Sequence, residues 1–63
     1  MIAYEVKVVQ DIYSKVDEHW HDANFTEYHK TIEKASFTVA RMNDEENYRR
    51  VMSITVTKIW IAE

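Results

Sequence analysis

The sequence predicts a small two-layer α+β domain: a three-stranded, mainly antiparallel sheet with one or two helices packed on one face. Three observations carry that expectation. Residues 2–9 alternate apolar and polar side chains, as a half-buried strand does. Residues 49–61 are dense in Val, Ile and Thr, which suit a pleated surface. Between them, Phe25, Tyr28, Ile32 and Ala35 recur at helical spacing. The expected order is β-α-β-β. The nearest alternative is ββαββ, with residues 12–20 as a strand.

The first strand puts Ile2, Tyr4, Val6 and Val8 on one face and Ala3, Glu5 and Lys7 on the other. Residues 11–23 fit a helix with Ile12, Val16, Trp20 and Ala23 as its stripe, although Ile12, Val16 and Trp20 would also share a strand face. A second helix is expected over 24–35. Asn24 followed by Glu27 offers a capping box, and its stripe is out of phase with the preceding one, which calls for a break near Asn24. Residues 36–42 are rich in β-formers and alternate, so they read as a strand. Residues 43–47 then form a hairpin loop, with Asn43 and Asn47 at the left-handed positions that Gly would otherwise fill. In the last strand Met52, Ile54, Val56 and Trp60 share one face with Lys58, and Val51, Ile59 and Ile61 share the other.

The length of 63 residues leaves room for a single domain over residues 1–63. A chain this short buries only about 60% of the surface its unfolded form exposes, so it needs very efficient packing, a metal or self-association. Cys is absent, which excludes disulfides and thiolate metal sites and fits a reducing compartment. Gly and Pro are absent too, so positive φ falls to Asn or Asp or is avoided. Gly-dependent phosphate loops, nucleophile elbows and dinucleotide fingerprints are thereby excluded.

No apolar run reaches the roughly 20 residues of a membrane span. The first residues lack the basic and apolar parts of a signal peptide, so the expected location is cytoplasmic. Net charge is −3, concentrated in residues 1–33, which carry three Lys against seven acids. That balance disfavours a general nucleic-acid binder, which shows a basic stripe.

Four groups of residues invite chemistry. His19 and His21 flank Trp20 among Asp17, Glu18 and Asp22. On a strand they point the same way and have the geometry to share a metal; on a helix they lie about 200° apart. No recognised ligand spacing surrounds them, and a solvated acidic surface accounts for them as well. Arg49 and Arg50, with Arg41, form the only basic cluster, suited to phosphate or an acidic partner. On a strand the two neighbours face apart, and edge charge of this kind also discourages aggregation. Ser14, Ser36 and Ser53 stand in no nucleophile motif, and no pair of acids is marked out for acid–base work. The fourth group is apolar. Val9, Val51, Ile59 and Ile61 need a cover that one helix does not supply, with Trp60 on the opposite face, and such patches mark interfaces.

The β-α-β-β order and the length are similar to those of dodecins, small flavin-binding oligomers. The likeness is one of topology, and no residue is carried over from it. A tiny Cys-free domain is also common among phage-encoded accessory proteins, which would place it in the host cytoplasm. The expectation is a non-enzymatic protein-binding module, a regulator or inhibitor that occludes a larger protein and self-associates, as a homodimer or higher homo-oligomer. No cofactor is expected. A homo-oligomeric nucleic-acid binder using Arg41, Arg49 and Arg50 is the alternative, and a metal or small-ligand site at His19 and His21 the second alternative.

Overall fold

In the computed structural model, which describes residues 1–43 and 47–62, the first strand runs further than its alternating start requires. β1 (Ile2–Ser14) turns back through residues 15–18 into β2 (His19–Asp22) and then β3 (Phe25–His29). β2 and β3 keep one register against β1, with His21 opposite Ile12, Phe25 opposite Val8 and His29 opposite Tyr4. The two short strands are thus successive stretches of one hairpin arm. α1 (Ile32–Met42) follows, and β4 (Arg49–Trp60) pairs antiparallel with the other edge of β1. The result is an α+β domain with a four-stranded antiparallel sheet in which β1 is central and β4 is an edge.

The hairpin turn is built from local side-chain bonds. The Val16 N–H donates to Ser14 Oγ at 3.3 Å, and the His19 N–H donates to Asp17 Oδ1 at 3.2 Å. Glu18 closes the turn with φ 57°, in the left-handed region that favours Gly. The expectation that Asn or Asp would serve such positions fails here, because Glu18 takes it.

Both ladders of β1 are interrupted at one level. The Gln10 N–H donates to Asn24 Oδ1 at 3.0 Å, and its Nε2 donates to the Ala23 carbonyl at 2.9 Å. The Ala23 N–H donates to the Gln10 carbonyl at 3.0 Å. On the other side Val9 faces Ser53 while Gln10 faces Val51, so Met52 is an extra residue in β4, a β-bulge. A buried Gln suits this place because its amide replaces a ladder partner that the distorted backbone does not reach.

Val6 and Val8, fully buried, meet Ala35 and Met42 of α1, with Tyr4, Phe25, Val51 and Ile54 around them. Ala35 lets the helix approach closely, and Ala35, Thr38 and Met42 make its inward face. Thr31 caps the helix by accepting from the Lys34 N–H at 3.3 Å. Glu33 in the first turn and Arg41 in the last suit the helix dipole.

The broad class and the first and last strands agree with the sequence; the middle differs. Residues 11–23 are strand, turn and strand rather than helix, because Tyr13 and Trp20 pair across the hairpin with ring centroids 5.4 Å apart. Residues 25–29 are strand because Phe, Thr and Tyr pair with β1, and the helical stripe through Phe25 and Tyr28 is coincidental. The helix begins at Ile32, capped by Thr31 rather than Asn24, and takes in 36–42, where Thr38, Val39 and Met42 continue the Ala35 stripe. Asn43 caps its C-terminus at φ −79°, not in the left-handed region. Asn47 is not left-handed either, since Glu18 is the described residue with positive φ, and residues 44–46 of the expected hairpin loop lie outside the described residues. The observed order, β-β-β-α-β, keeps the opening strand, a helix and the closing strand of the expected β-α-β-β, adds two short strands before the helix and has none over 36–42, so the order on which the likeness to dodecins rested is not kept in detail.

Candidate functional site

Helix α1 does not span the width of the sheet. Its inward flank bears on β1 and β3, and the helix-side face of β4 is left partly open. By register, Ile54, Val56, Lys58 and Trp60 share that face with Val6 and Val8. Val56 and Met52 are exposed, and Trp60 is 74% exposed. Between α1 and the start of β4 lies an open groove of about 950 Å³. Val39, Met42, Val51, Met52 and Ile54 give it apolar walls, and Asn43, Asn47, Arg49, Arg50 and Ser53 add polar atoms. Large apolar side chains are exposed on the helix as well, Phe37 at 74% and Ile32 at 45%.

The residues singled out from the sequence as an interface do not form one patch. The bulge at Met52 moves Val51 to the helix side, where it packs on the core. Val9 lies on the face away from α1 and is exposed. Ile59 is half-buried beside Ala3, and Ile61 is tied into the ladder by its N–H, which donates to the Met1 carbonyl at 2.8 Å. Trp60 stands out from the helix side. The groove and the exposure of Val56 and Phe37 were missed, because they depend on where the helix sits; the signal for Val56 and Trp60 was their common parity in β4.

The three arginines are also dispersed. Arg41 donates to Glu27 Oε1 at 2.9 Å. Arg49 lies opposite Ile12 and lines the groove. Arg50 reaches across β1 on the other face and sets its guanidinium carbon 3.7 Å from the Trp20 ring centroid, a cation–π contact. Arg49 and Arg50 both border the groove, but the Arg50 guanidinium is turned to Trp20 and that of Arg41 to Glu27.

His19 and His21 sit on β2 with Trp20 between them, so as strand neighbours they point to one side. His21 Nε2 lies 2.8 Å from Asp17 Oδ2 at an exposed position. Local desolvation raises the Asp17 carboxyl, yet the bonds from the His21 side chain, the His19 backbone and Ser14 outweigh it and hold it below the ordinary value. Among the described residues no group of three or more His, Asp or Glu is placed to hold a metal ion.

A further polar network joins the helix to the sheet. Glu27 Oε2 accepts from the Thr38 hydroxyl at 2.6 Å and lies 2.9 Å from His29 Nε2. Thr38 Oγ1 and His29 Nε2 are 3.2 Å apart. The Thr38 hydrogen bond and then that of His29 draw the Glu27 carboxyl below its ordinary range; burial opposes them, and Arg41 adds a lesser pull in the same downward direction. With its hydroxyl engaged and the side chain buried, Thr38 serves as a clip rather than a nucleophile.

No described helix is long and apolar enough to cross a membrane. No family model, curated protein or solved structure matches this chain.

Proposed function

We propose that the protein is a non-enzymatic protein-binding module that acts by occluding a larger protein and that self-associates through its sheet. One observation carries this reading. Large apolar side chains stand exposed on both α1 and β4: Ile32 and Phe37 on the helix, and Met52, Val56 and Trp60 on the strand, with Phe37 and Trp60 each at 74%. Exposed apolar side chains of this size on so small a domain are candidates for an association surface. Aromatic residues in particular supply the large buried area on which interfaces depend. The dispersed arginines and the acidic total weigh against nucleic acid as the partner.

Affinity capture from a lysate of the source cells tests the reading, with Phe37→Asp as the control. A stoichiometric protein retained by the native chain and lost by the variant is the expected result. Absence of any stoichiometric protein on the native chain sinks it.

A further inference from the structure

β4 carries a projection at one end and a recess at the other. Trp60, on the helix-side face, is 74% exposed. The groove, with apolar walls at Val39, Met42 and Val51 and polar groups from Asn43, Asn47 and Arg49, lies alongside Val51, Met52 and Ile54, near the strand's start. Among the described residues β4 pairs with β1 alone, so from Val51 to Thr57 its outer edge faces no other strand. The stretch from Val51 to Thr57 has no charge and no Pro to guard that edge.

We propose that two copies of this chain pair antiparallel along their β4 outer edges, each seating Trp60 in the groove of the other; this deepens the self-association above and rests on it. In an antiparallel pairing centred on Thr55, Ser53 faces Thr57 of the second copy and Ile54 faces its Val56, clear of the bulge at Met52. Trp60 of the second copy then lies level with Arg49 to Val51, on the helix side, at the groove. Two-fold symmetry fills both grooves with one contact, the self-complementarity that a closed dimer requires.

The dimensions fit a second copy. The chain exposes 4850 Å², roughly 500 Å² more than the ~4,300 Å² expected of a folded monomer of its mass. Its radius of gyration is 13.7 Å, against about 11 Å for a compact chain of this length. A small stable dimer covers roughly 600–800 Å² on each partner, of which a seated Trp supplies ~150–250 Å². The surplus surface comes close to what one such interface removes. The 43 × 21 × 15 Å shape, doubled along its long edge, also gives a broader sheet carrying two helices on one face.

The test is solution mass by light scattering over a range of concentrations, for the native chain, Trp60→Ala and Thr55→Asp. Both positions are exposed in the single chain, so circular dichroism is expected to show both variants folded. The expected result is a native dimer with a dissociation constant at least about tenfold higher in each variant. A native dimer that neither variant weakens overturns the β4 pairing and leaves self-association standing. A native monomer at every concentration overturns both.

Discussion

Thr38 reaches from the buried side of α1 to donate its hydroxyl to Glu27 on β3 at 2.6 Å, and this bond sets the helix across the hairpin arm. Replacing Thr38 by Val keeps the shape and removes the donor. The expected loss is about 1–2 kcal/mol, since bonds to charged acceptors are stronger than neutral ones. Urea unfolding of the two proteins at neutral pH measures it.

The same carboxylate makes stability depend on acid. Glu27 has a folded pKa below its ordinary 4.5, so its contribution is complete above that value and is lost as pH falls through the folded pKa. In Glu27→Gln the dependence should flatten in that window. Unfolding free energies of the two proteins, followed downward from pH 6, are expected to converge in acid.

Glu18 holds a left-handed conformation that costs a residue bearing a Cβ about 1–2 kcal/mol. Gly removes the strain but adds freedom to the unfolded chain. Glu18→Gly is therefore expected to stabilise by about 0.5–1 kcal/mol, seen as a higher melting temperature.

Asn24 supplies the acceptor for the N–H of buried Gln10. Asn24→Ala leaves that donor without its bond, at a cost of about 1–3 kcal/mol. Hydrogen exchange at the Gln10 amide should quicken together with the loss of stability.

Arg50 over Trp20 is a surface contact worth about 0.5–1 kcal/mol. Arg50→Ala is expected to lose that much. It should also alter the Trp20 fluorescence relative to a Trp60→Phe background, in which Trp20 is the remaining Trp.

The parts of the fold legible in the sequence were those where pattern and tertiary role agree. Val6 and Val8 alternate with Glu5 and Lys7, and the structure buries the first pair. Residues 49–60 alternate in the same way and form β4. The middle misled because two periods overlap there. Phe25, Tyr28 and Ile32 are spaced as a helix, yet Phe25 and Tyr28 lie on opposite faces of β3, and only Ile32 onward is helical. Ser36 to Val39 read as strand by propensity, but the Ala35–Thr38–Met42 face buries against Val6 and Val8, and burial outweighs intrinsic preference. Of the candidate surface, parity alone placed Trp60 on the face opposite Ile59 and Ile61; its exposure depends on how far the helix reaches. The groove that complements it depends on the bulge at Met52, which no local residue type announces.

The place of β4 in the sheet also bears on the order in which the chain folds. β1 meets β2 across residues 15–18, a short closure that forms early. β4 meets β1 between ends as remote as Ile2 and Trp60, a closure of high contact order and large entropic cost. Until β4 docks, the central strand of the finished sheet is itself an edge, carrying Val6 and Val8. The interval before that docking is when a newly made chain is most open to strand exchange with its neighbours, so the rate of this one long closure sets its exposure to misassembly.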